Sequence, residues 1–484
     1  MRLNAYAPVQ RVVGVLLALI SVSFVPPLVV SWVVQDGIQW AFMVSFLLVI
    51  GVGALLYWPV RNADRDLRIS DGFLVVVACW GAVCLAGALP FWLGLDASLA
   101  DSIFESTSGI TTTGATVFSG LDTMPLSVLW YRQQLQWMGG LGIIILAVAI
   151  LPMLRVGGMQ VYKAEATGPM KENRLTPKIA ETAKALWMIY IALTIICAAA
   201  YWAAGMSAFD ALMHSFSTIA TAGFSTHDAS IGHFNSPLIE WLVIVFVFIA
   251  SLNFALHFLA LRRASMQVYI KDPELKLFGL LVVLISVLVT VLLWRQDVSG
   301  TFWESFRTGT FHTLSYMTTT GFATTGVYLW PGTLPLLLLM ISALGGCAGA
   351  TTGGFKMIRV YLLTKQGIRE LKRLAHPRSV VPLKLGGRTL DDEVANAVWG
   401  YVSLYIVCIV VLTLLVSGLE ADLVTAVSVV FSAMNNLGPA LGEAGANWGG
   451  LSNATKGLMS FAMLLGRLEI FTILVLLTPT YWKH

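Results

Sequence analysis

The sequence predicts an all-α integral membrane protein: two N-terminal spans, then four pseudo-repeated units of helix, re-entrant loop and helix, with both termini on the cytoplasmic side. Three observations carry this. The 484 residues are 57% hydrophobic and only 12% charged, with a mean hydropathy of +0.79, whereas a soluble chain carries about 25% charged residues. Charge-free stretches of spanning length recur along the chain, and one seven-residue frame returns four times.

The elements follow in order. No Asp, Glu, Lys or Arg lies between Arg11 and Asp36, Asp36 and Arg61, Asp71 and Asp96, or Arg132 and Arg155. The same holds between Lys184 and Asp210, Glu240 and Arg262, Lys276 and Arg295, and Glu393 and Glu420. Roughly 20 apolar residues cross a bilayer, so each stretch is a spanning helix. The first is too long for a signal-peptide core and lacks a small-residue cleavage site, so it reads as a retained span. Thr308 to Phe355 is charge-free but too long for one span, and reads as a re-entrant segment followed by a helix. The five cysteines stand singly in apolar runs, a pattern of small buried hydrophobes rather than a metal or disulfide framework.

Charge sets the orientation. The N-terminus, the loop with Arg61, Arg65 and Arg68, and the segments Lys163–Lys184, Arg262–Lys276 and Lys356–Arg388 alternate across the spans. Counted along the whole chain, that side carries 25 of the 30 basic residues and 12 of the 26 acidic ones. The positive-inside rule puts that side in the cytoplasm, and the acidic opposite face attracts cations.

The repeated frame is a serine with a glycine six positions on: Ser108 to Gly114, Ser217 to Gly223, Ser315 to Gly321 and Ser432 to Gly438. The glycines recur at intervals of 109, 98 and 117 residues, and Thr112, Thr221, Thr319 and Asn436 stand two positions before them. All four frames fall on the external side. The short helices ahead of them begin near Asp101, Asp210, Glu304 and Glu420/Asp422, acidic residues suited to a helix N-terminus. Their C-terminal, negative ends then point into the membrane. Non-helical backbone survives there only where protein buries it or it lines a water-filled cavity. Four such loops around one axis predict one ion pore, with a cation filter walled by one strand per unit. The predicted units are 1–70 for the two extra helices, then 71–160, 161–270, 271–375 (with a glycine-rich intramembrane loop, 342–354) and 376–484.

These residues resemble the Trk/Ktr/HKT potassium transporter superfamily, most closely the bacterial Trk membrane subunit (TrkH/TrkG type), over nearly the whole chain. The similarity rests on Thr-Thr-Thr-Gly114-Ala-Thr, Thr-Ala-Gly223-Phe-Ser-Thr, Thr-Thr-Thr-Gly321-Phe-Ala-Thr and Asn-Asn-Leu-Gly438-Pro, in that order. Spans near 12–34 and 38–60 look like the extra pair of the Trk branch. One departure is Ala440, where a glycine is expected. The resemblance implies potassium uptake across a bacterial inner membrane, not enzymatic chemistry, with no organic cofactor and no nucleic acid. It also implies a homodimer embedded in lipid, rubidium as a permeant ion, and a cytosolic nucleotide-binding regulatory subunit of the TrkA type. Within the superfamily a serine at the first glycine goes with sodium, so Gly114 points to potassium.

The backbone carbonyls of Thr112, Thr113, Thr221, Ala222, Thr319, Thr320, Asn436 and Leu437 are the expected potassium ligands, since carbonyl oxygens can replace a hydration shell. Gly345, Gly346, Gly349, Gly353 and Gly354 should break a membrane helix. They read either as close helix packing or as a flexible loop obstructing the pore, and the resemblance implies an intramembrane gate. Arg467, inside the apolar run Leu458–Leu477, reads as a charge facing the pore. The other reading, a pair with Glu469, puts two residues on different helix faces. Asn253 and His257 read as interhelical hydrogen-bonding groups, with a proton relay as the other reading, and Lys356–Arg388 as a positive-inside anchor that could dock a regulator. A membrane enzyme would need a nucleophile–base set, a metal cluster or a phosphate loop, and no such motif is evident. A secondary transporter coupled to protons or sodium is the main alternative, although inverted repeats would be its signature and these repeats are parallel.

Overall fold

The computed structural model describes residues 6–62, 68–145, 175–379, 381–385, 388–420 and 422–483. Helix α1 (Ala7–Ser21) continues through a 3-10 turn into α2 (Val25–Val34), and α3 (Gln39–Tyr57) returns beside them. They make two spans, 7–34 and 39–60. Their contact is set by glycines: a Cβ on Gly14 would stand 2.9 Å from the Gly53 carbonyl oxygen, and one on Gly53 would stand 2.9 Å from that of Gly14. Small residues on both faces let the backbones touch.

A pattern of long helix, short helix, irregular strand and further helix then recurs four times. It comprises α4 (Ile69–Gly94), α5 (Leu99–Ile110) and α6 (Leu126–Ile145); then α7 (Leu175–Ala203), α8 (Ala208–Ile219), α9 (Pro237–Ala250) and α10 (Phe254–Arg263). After a short α11 (Gln267–Lys271) come α12 (Pro273–Arg295), α13 (Phe302–Met317), α14 (Leu334–Ile341) and α15 (Met357–Ala375). The last set is α16 (Asp392–Ser417), α17 (Leu423–Asn435), α18 (Asn453–Arg467) and α19 (Ile470–Leu477). A hairpin of two short strands, β1 (Lys384–Leu385) and β2 (Arg388–Thr389), precedes α16. Apolar residues of α7, α9, α12, α13 and α14 form one core and those of α16 to α19 a second. The boundary expected at 160/161, together with Arg2, Arg65, Arg155 and Lys163, lies outside the described residues.

The short helices start where their sequences cap them. Ser98, Ser207 and Thr301 accept hydrogen bonds from the amides of Asp101, Asp210 and Glu304, and Asp422 accepts from Val424 and Thr425. Each cap satisfies an orphan N–H of a first turn.

Four expectations change. The charge-free window starting at Arg132 misplaces α6, which begins at Leu126 and carries Arg132 inside it, because that charge is paired with Glu105. The run Leu458–Leu477 is not one helix: α18 and α19 meet at 114° across Leu468–Glu469. Asn253 is a local cap, accepting from Ala255 N at 2.9 Å where α9 and α10 break by 87°. His257 spans that break through Ile249 O (3.0 Å) and Tyr269 Oη (2.7 Å). Finally, Lys356 and Arg359, the first basic residues of the expected positive-inside anchor, bond within the protein. Lys356 donates to Thr352 O, and Arg359 pairs with Glu469 at 2.6 Å.

Candidate functional site

The four serine–glycine frames end the short helices in one way. The amides of Thr112, Thr221, Thr319 and Asn436 bond the carbonyls of Gly109, Thr218, Tyr316 and Ala433 at 3.0 to 3.2 Å. The next amides, of Thr113, Ala222, Thr320 and Leu437, reach back to the frame serines Ser108, Ser217, Ser315 and Ser432 at 2.8 to 3.0 Å. This pair of bonds is the Schellman motif. Its left-handed residue is usually glycine; here φ is 52° at Thr112, 49° at Thr221, 58° at Thr319 and 55° at Asn436. A threonine there is strained by about 1–3 kcal/mol. Side-chain hydrogen bonds hold this conformation at Thr221, Thr319 and Asn436.

Two residues further on, Gly114, Gly223, Gly321 and Gly438 have φ between 78° and 98°. They meet in a ring. A Cβ on Gly114 would strike the Ala222 carbonyl oxygen, one on Gly223 that of Thr320, and one on Gly321 that of Leu437. One on Gly438 would lie 2.6 Å from the Thr113 oxygen, which closes the circle. Each strand thus abuts the next in chain order, and the fourth returns to the first. The structure therefore brings Thr112, Thr113, Gly114, Thr221, Ala222, Gly223, Thr319, Thr320, Gly321, Asn436, Leu437 and Gly438 into one closed ring of backbone. The four short helices end at it, each presenting about half an elementary negative charge from its dipole.

Polar side chains brace the ring from behind, and these the sequence reading did not single out. Nine positions before the glycines stand Glu105, His214, His312 and Val429. Glu105 accepts from Thr116 Oγ1 (2.9 Å) and Val117 N (3.0 Å), His214 Nε2 meets Ser225 Oγ at 2.9 Å, and Thr324 N donates to His312 Nε2 at 3.4 Å. In the fourth unit Ser428 takes the role, accepting from Leu441 N at 3.0 Å. Arg132 links two units: Nε pairs with Glu105 at 2.8 Å, Nη1 donates to Ser225 O at 3.0 Å, and the guanidinium lies 4.2 Å from the Phe224 ring. Gln136 donates to Ala222 O at 2.7 Å and accepts from Phe224 N at 3.1 Å, filling the place of a neighbouring strand. The available signal was the charge itself: Arg132 is the one charge in α6, and Glu105 lies in α5 beyond the Asp101 of its first turn.

Below the ring, residues 342–356 are non-helical between α14 and α15. The five predicted glycines all lie in this loop. Gly345, Gly349 and Gly354 adopt positive φ, and Gly346 and Gly353 approach other backbone: a Cβ on Gly353 would enter the Asn435 carbonyl. The loop touches the strained ring residues, through Thr351 Oγ1 to Thr221 Oγ1 at 2.9 Å and Gly353 N to Thr319 Oγ1 at 2.7 Å. Asn436 Nδ2 is held by Thr113 Oγ1 and Met463 O instead. Arg467, the last residue of α18, donates from Nη1 to Thr351 O at 2.8 Å, so it faces this loop and not Glu469. Glu274 accepts the Ala348 amide at 2.7 Å from the other side.

Among the described residues, six apolar spans, two further bent helix pairs and a buried backbone ring define a multi-pass membrane protein. The model of the TrkH family, described as cation transport protein, matches residues 38–483. The chain belongs to that family, which comprises transporters rather than enzymes and places it in the bacterial inner membrane. Among its relatives, the Trk system potassium uptake protein TrkH of Halomonas elongata is 48% identical over 98% of this chain and 99% of its own length. TrkH of Escherichia coli is 46% identical over 99% and 100%, and TrkG of the same organism is 36% identical over 98% of each. The crystal structure of the potassium transporter TrkH from Vibrio parahaemolyticus superposes with a TM-score of 0.92 at 47% identity, covering 99% of this chain and 100% of that one.

Proposed function

We propose that the chain carries potassium into the cell as the ion-translocating subunit of a Trk-type system. Permeation is channel-like, through the four-unit ring, with both termini cytoplasmic. The closed cycle of glycine-to-carbonyl contacts carries this reading: it leaves four carbonyl-bearing strands around one axis, with four negative helix ends converging on them. A cation sheds water into carbonyl oxygens there without any side-chain charge. Buried polar atoms without protein partners, Thr112 Oγ1, Asn436 Oδ1 and Arg467 Nε and Nη2, stand at and below the ring, as in a hydrated path. The names of the relatives supply the ion.

The loop 342–356 and Arg467 act as the gate beneath the filter. A homodimer and a TrkA-type cytosolic partner follow from the resemblance. The basic face of α15, with exposed Lys365 and Lys372 and half-buried Arg373, is the surface we assign to that partner. The test is a reversal potential in proteoliposomes, with potassium and proton or sodium gradients varied separately. A potential that follows potassium alone supports the channel. One displaced by the second gradient in a fixed ratio establishes coupled transport instead.

A further inference from the structure

The loops that leave the first two strands meet above the ring. Asp122 lies eight residues after Gly114, His227 four after Gly223, and His233 six residues beyond that. One donor atom from each of the three lies within 4.8 Å of the others. Asp122 Oδ1 is the common point, 2.5 Å from His227 Nδ1 and 3.8 Å from His233 Nδ1. The imidazoles lie face to face, centroids 3.5 Å apart. The backbone already fastens the loops together: Leu121 N donates to Asp228 Oδ2 at 3.0 Å and Asp228 N to Asp122 Oδ2 at 3.4 Å.

We propose that Asp122, His227 and His233 bind a divalent transition-metal ion of the zinc class on the rim between the first two units. Two imidazole nitrogens and one carboxylate oxygen are the donor set of an open zinc site, with water in the fourth position. Metal–ligand distances of about 2.0–2.2 Å place tetrahedral donors about 3.4 Å apart, so the Asp122–His227 gap opens by about 0.9 Å and the Asp122–His233 gap closes by about 0.4 Å. The stacked rings must splay so that their lone pairs converge. Asp122 and His233 are exposed, which leaves room for that and a route for the ion.

A supporting group is in place behind the site. Asp210 Oδ1 lies 3.4 Å from His227 Nε2, a nitrogen that makes no hydrogen bond. A carboxylate behind a ligating imidazole orients the ring and strengthens it as a donor. Asp210 is itself held by Thr226 Oγ1 at 2.7 Å and Ser207 Oγ at 2.7 Å. Bound metal would tie together two loops whose preceding residues form adjacent parts of the ring.

The test uses the purified, tag-free full chain in detergent, so it does not depend on the transport reading. Zinc is titrated by calorimetry and cobalt serves as a spectroscopic probe. We expect one equivalent of zinc per chain, visible absorption of four-coordinate cobalt, and displacement of cobalt by zinc. His233→Ala and Asp122→Asn, both at exposed positions, should each lower zinc affinity tenfold or more and remove the cobalt bands. Failure of the wild-type chain to bind zinc stoichiometrically overturns the proposal, as does binding that both variants leave unchanged.

Discussion

Replacing Arg467 by alanine removes two interactions at once. Arg467 is only 5% exposed, and its Nη1 donates to Thr351 O in the loop beneath the ring at 2.8 Å. A hydrogen bond from a charged donor contributes about 1.5–3 kcal/mol. If the bond forms only with the loop in its blocking position, its loss shifts the closed-to-open ratio by about 10- to 150-fold. The charge adds a second term: a cation passing about 10 Å away is repelled by about 2 kcal/mol at an effective dielectric near 20. Both terms act in one direction, so Arg467→Ala should raise rubidium uptake by at least about tenfold. Arg467→Lys separates them. It keeps the charge but loses the guanidinium fork, so low flux assigns the barrier to charge and raised flux assigns it to the tether. The assay is rubidium uptake into proteoliposomes without a regulatory partner, normalised to folded protein from size-exclusion chromatography. Unchanged or lower uptake in Arg467→Ala at equal folded yield would refute the reasoning.

The remaining predictions follow from the same geometry. Gly114→Ser puts a Cβ into the Ala222 carbonyl at a φ of 78° and should lower the potassium-to-sodium permeability ratio; an unchanged ratio takes Gly114 out of the filter. Deleting Gly345 to Gly349 removes the middle of the loop and should raise basal rubidium flux, whereas an equally folded deletion with unaltered flux would return those glycines to a packing role. Arg132→Met leaves Glu105 buried and unpaired, which costs about 3–5 kcal/mol and should cut folded yield. Adding Glu105→Gln should recover part of it, as measured by thermal unfolding in detergent.

Much of the architecture was legible because lipid imposes a simple rule. Apolar length marks a span, and a broken span marks a place where protein or water replaces lipid. The N-terminal pair at 7–34 and 39–60 was visible for that reason. So was the serine–glycine frame, since a Schellman turn followed by a left-handed glycine uses a short local pattern. Charge misled where it was compensated through space. Arg132 looked like the edge of a span, and Lys356 and Arg359 like part of a positive-inside anchor, because Glu105, Thr352 and Glu469 lie 27, 4 and 110 residues away. Asn253 looked like an interhelical group because the 87° break it caps leaves no interruption in the apolar pattern.

By itself, the sequence determined that this chain lives in a membrane, crosses it many times and repeats one turn four times. These are consequences of composition and of hydrogen bonds closed within six residues. Only the tertiary structure decided that the four turns form a ring in which each glycine rests on the next unit's carbonyl. It alone decided that Glu105, Arg132 and Gln136 brace that ring, and that Arg467 holds Thr351 rather than Glu469. Such contacts join residues about 30 to more than 300 positions apart. They depend on how the helices pack around one axis, which a local pattern does not encode.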